Sequence, residues 1–189
     1  MHPDDGATIA QASAGDENAF REIVDRHGRA LYHLAFRITG RREDAEDVVQ
    51  DTFIRAYRQL GSFEARSSVA TWLHRIGVNC AIDLIRRRRT LEAPEAPEDL
   101  EQRFVPHKAP STVDLVYDGQ ITVRVEQAME ALSAKERAAF VMRHFQECSI
   151  DEIASTLDMK TEAAKHAVFR AVKKMRVALR SLVDGTQHD

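Results

Sequence analysis

The chain has 189 residues, 43% of them apolar and 30% charged, with only five prolines. That is the composition of a folded protein of one domain or two small ones, and it excludes a disordered chain. No run approaches the roughly 20 apolar residues that cross a bilayer, and a net charge of −3 excludes wrapping a nucleic acid through overall charge.

The opening MHPDDGAT is acidic and has no apolar signal core, so export is not expected and a cytoplasmic protein without direct membrane insertion is. Next, Phe20, Ile23, Val24, Leu31, Leu34, Ala35 and Ile38 recur at three- and four-residue steps. This spacing predicts an amphipathic helix, with Asp16 as its N-cap and Gly40 as its stop. A second helix is predicted from about Glu43 to Leu60, burying Ala45, Val48, Val49, Phe53 in part, Ala56 and Leu60. The loop GSFEARSS breaks the pattern. A third helix follows, burying Val69, Leu73, Ile76, Cys80 and Leu84 before ending in the run Arg86, Arg87, Arg88 and Arg89. Cys80 and Cys148 lie far apart and form no CxxC pair, so they read as buried, reduced thiols.

From Thr90 to about Gln120 the periodicity fails, and four of the five prolines (Pro94, Pro97, Pro106 and Pro110) fall there. A structureless stretch of that length inside one domain is unusual, so it is expected to be a linker. Beyond about Ile121, Ser133-Ala-Lys-Glu136 and Ser149-Ile-Asp-Glu152 both carry capping-box spacing, and each heads an apolar-periodic run. The order is helix, helix, turn, helix. The fold class expected is all-α: a helical bundle over residues 1–90 and a helix-turn-helix over 121–189, joined by a flexible Pro- and acid-rich linker over 91–120.

Three clusters carry chemistry. Asp44, Glu46, Asp47, Gln50 and Asp51 crowd the first turns of the second helix. Acids there favour the helix dipole, but their number exceeds what capping needs and suits a partner surface rich in arginine, with Phe53 as an apolar anchor. Trp72, Arg75 and Asn79 share one face of the third helix and suit an unstacked base; a lone tryptophan at helical spacing is more often core. Four successive arginines wind round a whole helix, so they cannot all serve one packed face, and polyanion contact is their natural role. In the last helix Ala164, Val168, Ala171, Val172, Met175 and Leu179 fall on one side. Lys165, His166, Phe169, Arg170 and Lys173 fall on the other, where they can enter a major groove, with Lys173, Lys174 and Arg176 well placed for phosphates. A plain solvated basic face is the competing explanation.

DAEDVVQDTFIRAYRQLGSF followed by TWLHRIGVNCAIDLIRRRR resembles the second conserved region of the extracytoplasmic-function sigma factors, the group 4 branch of the sigma-70 family. LSAKERAAFVMRHFQECSIDEIASTLDMKTEAAKHAVFRAVKKMR resembles their fourth region. The resemblance implies a sigma factor that binds core RNA polymerase and promoter DNA, recognises −10 and −35 elements and promotes initiation, commonly held by an anti-sigma factor; it implies no cofactor, metal or catalysis. It places Asp44, Glu46, Asp47, Gln50, Asp51 and Phe53 against polymerase. Ser67, Ser68, Thr71, Trp72, Arg75 and Asn79 would face the melted −10 element, with Arg86 to Arg89 on nearby backbone. Lys165, His166, Phe169, Arg170, Lys173 and Lys174 would read the −35 element. Two departures stand out: Asp158 replaces the glycine usual at the turn, and Glu162 to Ala167 replace a Gly-Thr-Val-Lys-Ser-Arg pattern. Elements some 16 base pairs apart are separated by roughly 55 Å. A linker of about thirty residues averages roughly 30 Å as a coil and reaches on the order of 100 Å extended, enough to span both.

Two other classes are weighed against this. A stand-alone helix-turn-helix regulator would bind duplex DNA without polymerase, which the acidic balance and the Asp44–Asp51 cluster oppose. A di-iron helical enzyme wants Glu-x-x-His pairs, and no histidine here has an acid three residues before it.

Overall fold

Asp16 caps the first long helix as the spacing predicts, its carboxylate accepting from the backbone N–H groups of Asn18 (2.9 Å) and Ala19 (3.3 Å). At the other end Gly40 takes φ 75°, the left-handed conformation that glycine adopts without steric cost, and its N–H reaches the Phe36 carbonyl. The protein is described here by a computed structural model covering residues 5–63, 67–92, 125 and 127–184. Every regular element among the described residues is helical: α1 (Asp5–Ser13), α2 (Glu17–Thr39), α3 (Arg42–Gln59), a single 3-10 turn (Leu60–Ser62), α4 (Val69–Glu92), α5 (Ala134–Phe145), α6 (Ile150–Thr156) and α7 (Thr161–Asp184), with a helical turn over 127–130 before α5. Contacts divide the chain into two compact units, Met1–Leu84 and Ile85–Asp189. Of the linker expected over 91–120, Leu91 and Glu92 are the last residues of α4, and the remainder lies outside the described residues.

In the first unit the core gathers Ile23, Leu31, Leu34 and Ile38 of α2, Ala45, Val48, Phe53 and Ala56 of α3, and Val69, Leu73, Val78 and Cys80 of α4. Each large aliphatic residue fully removed from water stabilises the fold by about 1.5–3 kcal/mol. The helices close in at Gly77, where an added Cβ would lie 2.7 Å from Leu31 Cδ1. Thr52, fully buried on α3, satisfies its hydroxyl within its own helix at the Val48 carbonyl (2.6 Å). Burial pushes the neighbouring Cys80 thiol up, against a hydrogen bond with Thr52 that pulls it down. Val49, Ile76 and Leu84, expected in the core, are half-buried; Val78, Ala81 and Ile82 turn inward.

Helix α1 is an addition to the sequence reading. Its apolar content is slight, since only Ile9, Ala12 and Thr8 pack inward with Asp5, and nine residues make a helix that is marginal alone. Tertiary contacts hold it: Asp5 pairs with Arg26, which also pairs with Glu22, and lies 3.5 Å from His27 Nε2. Ser13 donates its hydroxyl to the Leu60 carbonyl (3.2 Å).

In the second unit both predicted capping boxes are formed, Ser133 with Glu136 and Ser149 with Glu152. Ala128 and Leu132 pack on Ala171 and Met175 of α7, with Val125, Met129, Phe140 and Leu179 around them. The turn from α6 to α7 is a Schellman motif: Met159 N–H returns to the Ala154 carbonyl (3.0 Å), and Asp158 sits at the left-handed position with φ 47°. Asp158 thus takes, with a side chain, a backbone conformation that glycine adopts without steric cost.

Candidate nucleic-acid interface

On α7 the two predicted sides separate. Ala164, Ala167, Ala171 and Met175 are buried, with Val168, Val172 and Leu179 half-buried beside them. Lys165, His166, Phe169, Arg170 and Lys173 are all exposed, and Phe169 keeps 67% of its surface in solvent, too much for a core aromatic. Lys165 bonds Glu162 one turn back (2.6 Å), a hydrogen bond that raises the lysine's pKa and lowers the glutamate's. Both groups are exposed, where such pairs contribute little. Thr161 donates to Asp151 of α6 (3.0 Å), tying the start of α7 to the preceding helix.

Two cations of the set have a partner in the protein interior. Arg170 Nε donates to Glu136 Oε1 (2.9 Å) and Lys174 Nζ to Glu136 Oε2 (2.7 Å). Glu136 is 2% exposed. Burial alone would raise its pKa; the hydrogen bonds from Lys174, the Ser133 backbone and Arg170 outweigh that, and the net shift is downward. The spacing Ser-x-x-Glu finds this residue as a cap; its second role depends on a helix 34 residues further on, which local pattern does not reveal. Next to Glu136 on α5, Arg137 is buried and donates through Nε to the Met129 carbonyl (2.9 Å). Burial lowers its pKa to about 10, with repulsion from Arg89 and Arg88 adding to the shift and Glu130 opposing it.

In the first unit, Ser68 stands before α4 and accepts from the Thr71 N–H (3.1 Å), while its hydroxyl lies 2.8 Å from that of Thr71. Ser67, Thr71, Arg75 and Asn79 are exposed and, from Thr71 on, follow at four-residue steps. Trp72 is half-buried with its ring 5.0 Å from Phe63, so it belongs partly to the packing and partly to the surface. Glu64, Ala65 and Arg66 of the loop lie outside the described residues. At the end of α4, Arg86, Arg87 and Arg89 are exposed and Arg88 is half-buried; Arg89 Nη2 donates to the Leu132 carbonyl (3.4 Å).

The acidic set lies on α3 with Glu46, Asp47 and Gln50 exposed and Asp44 and Asp51 half-buried. Phe53, expected to be buried only in part and to offer an apolar anchor, is 8% exposed and meets Phe20 edge-on at 6.3 Å. Apolar surface beside the acids comes instead from Ile54 and Tyr57, which the core periodicity of α3 does not mark, and from residues of α2 and α3 expected in the core. Ile54 and Tyr57 are 43% and 49% exposed. With Phe20, Val24, Tyr32 and Val49 they line an apolar groove between α2 and α3, rimmed by Glu46 and Gln50. The available signal was that Ile54 and Tyr57 are apolar yet lie outside the 45–48–53–56 core spacing.

Comparison with known proteins agrees with this architecture. The sigma-70 region 2 family matches residues 23–90 and the sigma-70 region 4 family residues 122–175. The ECF RNA polymerase sigma factor SigW of Bacillus subtilis is 31% identical over 179 residues, covering 92% of this chain and 96% of its own. The ECF RNA polymerase sigma factor SigE of Mycolicibacterium smegmatis is 31% identical over 174 residues, 90% of this chain and 66% of its own. Among solved structures, CnrH in complex with the cytosolic domain of CnrY superposes with a TM-score of 0.64 at 28% identity, covering 94% of this chain and 97% of that one. With a region 2 helical unit followed by a region 4 helix-turn-helix, the chain belongs to the ECF RNA polymerase sigma factors and promotes promoter-specific transcription initiation.

Proposed function

We propose that the three surfaces divide the work of initiation as follows. Glu46, Asp47 and Gln50, with Asp44 and Asp51 beside them, form the polymerase-docking face of α3, and Phe53 shapes that face from beneath. Ser67, Thr71, Arg75 and Asn79, with Trp72 and Ser68 behind them, hold the melted −10 strand, and Arg86 to Arg89 hold backbone. The exposed face of α7, from Lys165 through Lys173, reads the −35 element in the major groove, where base edges are distinguishable. The single observation that carries the last assignment is the clean partition of α7 into a buried alanine and methionine side and an exposed side of Lys165, His166, Phe169, Arg170 and Lys173.

The protein acts by binding and orientation without catalysis of its own, in the cytoplasm. No helix among the described residues is long and apolar enough to cross a membrane. An anti-sigma factor is its regulator. Support comes from the apolar groove between α2 and α3, a surface fitted to an amphipathic partner helix, and from the related CnrH, solved with the cytosolic domain of CnrY.

Transcription with purified core polymerase over a genomic fragment library, with sequencing of the 5′ ends, tests the division. Discrete starts sharing −10 and −35 elements are expected. Replacing Asp47 and Asp51 by arginine is expected to weaken polymerase capture with the helical spectrum unchanged, and undiminished capture would remove that face from the assignment.

A further inference from the structure

We infer that Glu136 positions Arg170 on the DNA-reading face of α7, so that a residue buried beneath that face helps to set which base is accepted at the −35 element. The inference rests on α7 being the −35 reader.

The chain contains its own comparison. Glu136 and Glu152 do the same capping work: each accepts from the backbone N–H of the serine three residues earlier, at 3.0 and 2.7 Å. Glu152 does so while exposed, whereas Glu136 is 2% exposed. Capping therefore does not require burial, and burying a carboxylate is costly unless it is paired and hydrogen-bonded. What Glu136 gains in its buried place is two cations of α7, one turn apart, with Arg170 on Oε1 and Lys174 on Oε2. Because Oε2 also holds the Ser133 N–H, the carboxylate is fixed at both oxygens and cannot swing.

Arg170 is 45% exposed at its side chain and yet anchored. Its guanidinium is planar, so a bond at Nε constrains the plane of the whole group. The bidentate pairing of arginine with guanine is made by the outer nitrogens to O6 and N7. An anchor at Nε is thus compatible with base reading and removes rotamer freedom before DNA arrives, a preorganisation that favours binding. Lys174 is held by the same carboxylate and is 33% exposed at its side chain, which leaves Lys165, His166, Phe169 and Lys173 as the outward members of the set.

The test uses the full chain with core polymerase on a promoter pool randomised across the −35 element, with transcripts counted by sequence. Arg170→Ala is expected to lower discrimination about tenfold at one or two adjacent base pairs. Glu136→Gln, which keeps the shape and a cap acceptor, is expected to relax the same positions and no others. The double variant is expected to be no more relaxed than Arg170→Ala alone. A merely structural role for Glu136 would lower transcription evenly across the pool. An even loss, or relaxation at different positions, overturns the inference. Should Glu136→Gln fail to fold, as read by circular dichroism, Arg170→Lys leaves the α5 cap untouched, keeps the charge and removes the planar fork; it is expected to relax the same positions, and unchanged preference overturns the inference. Lys165→Ala and Phe169→Ala separate the two levels. If they alter −35 preference while the Arg170 and Glu136 variants do not, Arg170 is not a base reader and its positioning by Glu136 fails with it, while the −35 assignment of α7 stands; if none of the four does, the −35 assignment of α7 fails as well.

Discussion

Two single residues show how closely local geometry constrains this chain. At Gly77 an added methyl group would meet Leu31 Cδ1 at 2.7 Å, and Leu31 is 1% exposed, so its methyl would have to shift within a packed core. Gly77→Ala gains some helix propensity but overpacks the α2–α4 contact; a net loss of about 1–3 kcal/mol is expected in urea unfolding. A gain would mean that Leu31 repacks freely. Asp158 is the opposite case. It holds φ 47° at a Schellman position where side-chain-bearing residues pay a steric cost and glycine does not. Asp158→Gly is expected to stabilise by up to about 1 kcal/mol, less the extra entropy of the unfolded glycine, and a fall in melting temperature would show that the aspartate contributes something the backbone does not need. Residue-scale features were legible where they are local: Asp16, Gly40, Ser133 and Ser149 each announce a helix end by chemistry within four residues. Phe53 and Trp72 were not, because their exposure depends on Phe20 and Phe63, which reach them through the fold.

At the scale of the element, the pairing of α5 with α7 through Glu136 gives an acid-sensitive joint. The folded protein holds this carboxyl below its ordinary value of 4.5, despite burial, through Lys174, Ser133 and Arg170. Near and below pH 4.5 the unfolded chain therefore binds the proton more readily, and stability drawn from this group is complete above that pH and lost as pH falls through the lowered folded value. Glu136→Gln should accordingly be less stable than the parent at pH 7, with the difference shrinking below pH 4.5. A constant difference from pH 7 to pH 3 would show that the charge contributes nothing. The groove between α2 and α3 makes a second prediction at this scale. Ile54 is 43% exposed, so Ile54→Glu should shift stability by no more than about 0.5 kcal/mol while abolishing capture of a partner that packs apolar side chains there. Equal capture by parent and variant would place the partner elsewhere. The helices themselves were legible from 3.6-residue periodicity. The groove was not, because Phe20 and Val24 satisfy the core periodicity of α2 and only the placement of α3 leaves them half-open.

For the whole molecule, charge distribution separates a polymerase-dependent factor from a regulator that binds alone. The net charge is −3, and the exposed cations of α7 that can meet phosphate (chiefly Lys173, Arg176 and Arg180) are few. Neutralising about three phosphates gives a salt exponent near −2.7, so affinity for a −35 duplex should fall roughly fortyfold between 50 and 200 mM salt. So small an electrostatic contribution leaves the unaided protein without tight promoter binding at physiological salt, while its acidic α3 face is free of the repulsion that a second DNA-facing role would impose. A mobility-shift titration of the full chain should therefore give micromolar or weaker binding to promoter duplex at 150 mM salt, with a shallow salt slope, and promoter-specific binding only when core polymerase is added. Nanomolar binding by the protein alone would contradict this and show that the free factor grips promoter duplex before polymerase arrives. A steep slope with equal affinity for all sequences would instead mean that the arginine run Arg86 to Arg89 grips duplex backbone without polymerase, and that its place beside the −10 strand is wrong.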